Sequence, residues 1–99
     1  MSSEKSSHSA VSTAEVLVCN EAGLHARPSH ALVKLAGEFD AKIRLCLDGR
    51  TADAGSILSV MTLGAAAGSK IRIETEGTDA KTALVAMVEL FQSGFDEAT

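Results

Sequence analysis

Two side chains in one short stretch could do chemistry together, His25 and Arg27, with Pro28 directly behind them in Gly23-Leu24-His25-Ala26-Arg27-Pro28-Ser29. Proline has a fixed φ and no amide proton, which suits the first turn of a helix. Leu32 and Leu35 then recur at helical spacing. His25 therefore stands just outside a helix start. The first amides of a helix have no internal partner and the helix dipole is positive there, so an anion held by His25 would meet ready-made donors. Arg27 adds a permanent cation suited to oxyanions.

Four chemistries are open to such a histidine: general base, metal ligand, anion-binding group and covalent phosphate carrier. A metal would need further ligands, and neither His8 nor His30 stands at a spacing from His25 that makes a site. Acid–base catalysis would need a substrate pocket, for which so small a core leaves little room. A phosphate carrier needs only a nucleophilic nitrogen on an accessible side chain, with donors that stabilise the phosphate. Histidine has an ordinary pKa of about 6.5 and so offers a neutral ring with a free lone pair near pH 7. From the residues alone, a carrier and a plain surface histidine beside a helix cap stand level.

The elements that must position His25 follow from patterning. Ninety-nine residues make one domain, and a chain this size buries roughly 60–70% of its unfolded surface. Met1 to Ser12 is Ser-rich and without apolar periodicity, a disordered extension by composition, ahead of a domain spanning 13–99. Thr13 to Asn20 reads as a strand with half of Val16, Leu17, Val18 and Cys19 facing inward. A helix from Pro28 to Ala36 buries Ala31, Leu32, Leu35 and Ala36, leaves His30 exposed and stops at Gly37. Ala41 to Leu47 alternates Ile43, Leu45 and Leu47 with polar residues, Asp48-Gly49 makes a tight turn, and Arg50 to Ala54 is a short edge strand.

Ser56 is a good N-cap for a largely apolar helix reaching Leu63 and closed by Gly64, with a face free to meet partners. Lys70 to Glu76 alternates as a fourth strand. Gly77-Thr78-Asp79 then breaks the strand and caps a last helix from Ala80 to Gln92, whose inward face is Ala83, Leu84, Met87, Val88 and Phe91. The order β-α-β-β-α-β-α is an α+β sandwich, its helices sharing one face of an antiparallel sheet.

A formal charge of -4 and an aromatic content limited to three Phe argue against nucleic-acid or anionic-membrane binding. No apolar run is long enough for a membrane span, and the start of the chain is too polar for a signal peptide, which implies a cytoplasmic protein. Cys19 and Cys46 lack metal-ligand spacing and read as small buried thiols.

The segment Gly23-Leu24-His25-Ala26-Arg27-Pro28, followed by Ser56-Ile57-Leu58-Ser59-Val60-Met61-Thr62-Leu63-Gly64 and Gly77-Thr78-Asp79-Ala80, resembles the HPr family, the histidine-containing phosphocarriers of the bacterial phosphotransferase system. The similarity runs from about Val16 to Glu97. It implies an open-faced sandwich of four antiparallel strands with three helices on one face and the fourth strand between the first and second. It also implies that His25 takes a phosphoryl group on Nδ1 from phospho-enzyme I, which draws it from phosphoenolpyruvate, and passes it to a histidine of an enzyme IIA domain in sugar uptake. Arg27 would stabilise the phosphate, and Ile57, Leu58 and Met61 would dock both partners. Such a protein is a monomeric intermediate without cofactor or metal, and has no turnover of its own. Ser56 matches a serine that an HPr kinase/phosphorylase modifies in some bacteria, although Gly55 stands where lysine is common and Ala22 where many members carry a polar residue. The other reading that the resemblance allows is a regulatory HPr-like protein, of the nitrogen branch or kinase-controlled at Ser56, acting by binding partners.

Overall fold

The computed structural model describes residues 11–96. The extension expected over residues 1–12 lies outside the described residues except for Val11 and Ser12, the latter already the first residue of a strand.

Strand β1 (Ser12–Leu17) leads to helix α1 (Ala26–Ala36); β2 (Lys42–Leu47) and β3 (Arg50–Asp53) form a hairpin. Helix α2 (Ile57–Leu63), strand β4 (Lys70–Glu76) and helix α3 (Ala80–Gln92) complete the described elements, with a single 3-10 turn at Gly94–Asp96. All neighbouring strands are antiparallel, in the order β1-β4-β2-β3. The expected β-α-β-β-α-β-α sandwich is therefore the observed one, with β3 at an edge and β4 between β1 and β2.

The period-two alternation decides which way each strand faces. Val16, Ile43, Leu45, Leu47, Ala52, Ile71 and Ile73 are buried under the helices. Glu15, Arg44, Arg72 and Glu74 lie on the opposite, open face, where registry sets Arg44 beside Glu74 and Arg72 beside Glu15. Helices α2 and α3 pack on the sheet and α1 lies against both of them. Leu32, Val60, Ala83, Met87 and Phe91 meet the strand residues in one core. Among the described residues, no helix is long and apolar enough to cross a membrane.

Asp48 and Gly49 both take positive φ, 51° and 81°, as the tight hairpin turn requires. Several other details depart from the expected pattern. β1 ends at Leu17, although Val18 stays buried and exchanges backbone hydrogen bonds with the loop before β4: its amide donates to Ser69 and its carbonyl accepts from Gly68. The buried stripe of α1 is Pro28, Ser29, Leu32 and Ala36, with Ala31 and Leu35 half-buried beside it. These four lie on one face at helical spacing, Pro28, Leu32 and Ala36 in line with Ser29 one turn before Leu32, and Ala31 and Leu35 stand at its border. Gly37 caps α1 in a right-handed conformation (φ -70°), so its place does not depend on being glycine.

Asp79 occupies the N-cap of α3 without a side-chain capping bond. Its carboxylate instead accepts the Asp40 amide at 2.7 Å, while its own amide donates to the Asp40 carbonyl at 2.9 Å. The group expected to cap the helix thus ties it to the start of β2. Phe95 is a further departure: it is buried at φ 62° and packs edge-on to Phe91, with ring centroids 4.9 Å apart. Neither cysteine is deeply buried. Cys19 is exposed in the loop after β1, Cys46 is half-buried on the open sheet face of β2, both are free, and β4 lies between β1 and β2.

Candidate functional site

His25 is the N-cap residue of α1, in an extended conformation (φ -82°, ψ -164°), half-buried and making no side-chain capping bond. The helix opens at Ala26, two residues before the expected start, so Pro28 is its third residue. That position is tolerated because none of the first amides has an acceptor within the helix. The first intrahelical bond runs from the Ser29 amide to the His25 carbonyl at 3.0 Å. This leaves the amides of Ala26 and Arg27 in the turn next to the imidazole, where helix geometry offers them no internal acceptor. Arg27 is exposed, and no acidic residue lies in this turn to compete for an anion. His30 is exposed one turn further on, as expected.

The loop ahead of His25 is held from three sides. Gly23 closes a turn by donating its amide to the Asn20 carbonyl at 3.1 Å, and its own carbonyl accepts from the His25 amide at 2.9 Å and from Asn20 Nδ2 at 2.6 Å. Ser29 Oγ donates to the Leu24 carbonyl at 3.1 Å from within α1. The Leu24 amide donates across to the Ala65 carbonyl at 2.9 Å, just past the end of α2. Gly23 has φ 73°, and a Cβ there would sit 2.5 Å from the Ala65 oxygen, so the backbone approach requires glycine.

Helix α2 is therefore fastened to the His25 loop at its C-terminal end, where Gly64 takes the left-handed conformation (φ 69°). At its other end Ser56 caps the helix, its Oγ accepting the Ser59 amide at 3.2 Å. Between them Val60 and Leu63 are buried, while Ile57, Leu58 and Met61 are exposed, Leu58 by 76%. A groove of about 430 Å³ beside Leu58 is lined by Arg50, Thr51, Ser59, Thr62 and Leu63. The fold thus joins His25 and Arg27 to the α2 surface, with Ser56 at the far end of that surface, a helix length of roughly 10 Å away.

Two residues of this arrangement escaped the pattern reading. Asn20 is buried and Ser29 wholly so, each hydrogen-bonded to loop backbone. Asn at the first and Gly at the fourth position of Asn20-Glu21-Ala22-Gly23 is a type I turn signature that marks the first of them. Ser29 is marked by its spacing, standing three residues before Leu32 and seven before Ala36 on the buried face of α1, although its side chain is polar. No group of three or more His, Cys, Asp or Glu able to hold a metal occurs among the described residues.

On the open sheet face, away from this site, Glu74 accepts from Arg44 Nε at 3.1 Å and from Arg72 Nε at 3.0 Å. The Arg44 hydrogen bond first, then that of Arg72, holds its carboxyl below the usual glutamate range against the opposing effect of burial.

The family described as the PTS HPr component phosphorylation site matches residues 12–93. The phosphocarrier protein HPr of Treponema pallidum is 44% identical over 83% of this chain and 93% of its own. The phosphocarrier protein NPr of Escherichia coli K12 is 41% identical over 83% of this chain and 92% of its own. A crystal structure of HPr from Thermoanaerobacter tengcongensis superposes with a TM-score of 0.85 at 33% identity, covering 89% of this chain and 99% of that one. With a family match over most of its length, and relatives of this identity, the chain belongs to the HPr family of phosphocarrier proteins of the phosphotransferase system.

Proposed function

We propose that this protein carries a phosphoryl group on His25 from phospho-enzyme I to a histidine of an enzyme IIA domain, in sugar uptake. In the first step a lone pair on Nδ1 of His25 attacks phosphorus as the nitrogen–phosphorus bond of the donor histidine breaks. The electron pair of that bond returns to the donor nitrogen, whose ring, protonated on its other nitrogen, leaves neutral, while the His25 ring, protonated on Nε2, takes up the positive charge. The second step reverses the roles. Arg27 and the amides of the first turn of α1 neutralise charge on the equatorial oxygens, and they do so without surrounding the phosphate, which must leave again.

The observation that carries this reading is the position of His25: half-buried at the mouth of α1, beside an exposed arginine, on a loop fastened to the end of an apolar exposed helix. Ile57, Leu58 and Met61 then serve both donor and acceptor as one docking surface, which suits a carrier that must meet two enzymes in turn. In this reading the protein works in the cytoplasm, and phosphorylation of Ser56 by an HPr kinase/phosphorylase would place a dianion on the rim of that surface. A helix N-terminus tolerates such a charge, so docking would change and the fold would persist.

Incubation with enzyme I and phosphoenolpyruvate tests the reading. The expected product carries one acid-labile, base-stable phosphate, absent from His25→Ala, that a sugar-specific IIA domain removes. No label, or label that survives His25→Ala, overturns it.

A further inference from the structure

We propose that Asn20 is a positioning residue for phosphoryl transfer at His25, an inference that rests on the carrier reading above. Asn20 is only 4% exposed, a carboxamide buried at the edge of an otherwise apolar core. Its Nδ2 donates to the Gly23 carbonyl at 2.6 Å, and the same oxygen accepts the His25 amide at 2.9 Å. A carbonyl has two lone pairs, and here one serves Asn20 and the other the histidine.

The orientation of the Gly23 peptide therefore sets where the His25 backbone stands, and Asn20 fixes that orientation. From the other side, the Ala65 carbonyl and the neighbouring Ala66 Cα abut Gly23, so the loop cannot relax toward α2. The half-exposed imidazole hangs from that backbone, so a shift of the Gly23 peptide carries the ring with it. Transfer between two histidines needs the attacking nitrogen in line with the breaking bond, and misplacement by about 1 Å can cost ~100-fold in rate. Docking is carried by different residues, on the exposed face of α2. Loss of the Asn20 bond should consequently reach the chemical step and spare the encounter.

The test measures phosphorylation of the protein by enzyme I and phosphoenolpyruvate for wild type, Asn20→Ala and Asn20→Ser. Asn20→Ala should lower kcat about tenfold and leave KM within about twofold. Asn20→Ser, whose hydroxyl closes the same kind of turn more weakly, should recover part of the loss. An unchanged kcat, or a change confined to KM, overturns the proposal. Wild-type protein that takes no label overturns the carrier reading instead. Whatever the stability of the variants, isotope-labelled wild type should give a scalar coupling through the hydrogen bond from Asn20 Nδ2 to the Gly23 carbonyl carbon, and its absence overturns the positioning role.

Discussion

Gly23 rests directly on Ala65: a methyl group at Gly23 would lie 2.5 Å from the Ala65 carbonyl oxygen, and the next amide, that of Leu24, donates to that oxygen at 2.9 Å. The strand-to-helix loop that carries His25 and the end of the exposed helix α2 thus form one unit, joined through backbone atoms.

Substitution at Gly23 should be costly for two separable reasons. Alanine at φ 73° meets the left-handed penalty of about 1–2 kcal/mol, and the contact with Ala65 adds to it. Asparagine tolerates the left-handed region but not the contact. Gly49 is the control, since it has φ 81° and nothing within 4 Å of the place a Cβ would take. Gly23→Asn should lower the thermal midpoint and slow labelling of His25, whereas Gly49→Asn should do neither. Equal behaviour of the two variants would mean that backbone sign alone matters and the Ala65 contact does not.

Much of this unit could be read from the chain, and the part that could not has a common cause. Ile43, Leu45, Leu47, Ile71 and Ile73 announce their strands because burial on one face imposes a period of two on neighbours in sequence. The Asp48-Gly49 turn, the Ser56 cap and the half-exposed His25 at a helix mouth are likewise local facts. Asp79 stands where a capping side chain is expected, yet its carboxylate takes the Asp40 amide, 39 positions away, in place of the local amides of α3. Thr75 continues the inward face of Ile71 and Ile73, but the partner that satisfies its Oγ1, the Ala80 carbonyl at 2.7 Å, is not marked by the alternation, nor is the closure of Phe95 over Phe91. The Leu24–Ala65 bond belongs with these. Each depends on which particular partner group the folded chain brings near, and periodicity holds no record of that.

The two parts that Ser56 is asked to play can be told apart. Its hydroxyl accepts the Ser59 amide at 3.2 Å, so Ser56→Ala should cost about 1 kcal/mol, visible as a lower urea midpoint. Aspartate is as good a cap and adds a favourable charge at the helix start, so Ser56→Asp should keep the wild-type midpoint. In phosphotransfer the order should reverse, with Ser56→Ala near wild type and Ser56→Asp slowed by charge beside Ile57 and Leu58. If Ser56→Asp transfers as fast as wild type, a negative charge at Ser56 does not regulate docking.

Glu74 should give the sheet a measurable dependence on acid. Its carboxyl is held below the ordinary glutamate value by the hydrogen bond from Arg44 and then by that from Arg72, so the folded protein gives up this proton more readily than the unfolded chain. The resulting stabilisation is complete above the unfolded value of about 4.3 and is lost as pH falls through the lower folded value. Glu74→Gln should therefore have a lower urea midpoint than wild type at pH 7, and the two should converge as the pH is taken below 4. A deficit that stays constant across this range would assign the effect to packing.

Arg27 is asked to stabilise charge and not to hold the fold. It is exposed in the first turn of α1, whose buried residues are Pro28, Ser29, Leu32 and Ala36, so Arg27→Ala should change stability by no more than about 0.5 kcal/mol. Its guanidinium offers several donors to phosphate oxygens, and its removal should slow phosphorylation of His25 by about ten- to a hundredfold. Lysine supplies the charge but not the planar fork, so Arg27→Lys should fall between the two. The rate of phosphohistidine hydrolysis provides the second readout. An arginine that stabilises the transferring group more than the resting phosphate should leave this rate nearly unchanged while transfer slows. If transfer and hydrolysis change together, Arg27 acts on the bound phosphate itself; if Arg27→Ala unfolds, the arginine belongs to the scaffold.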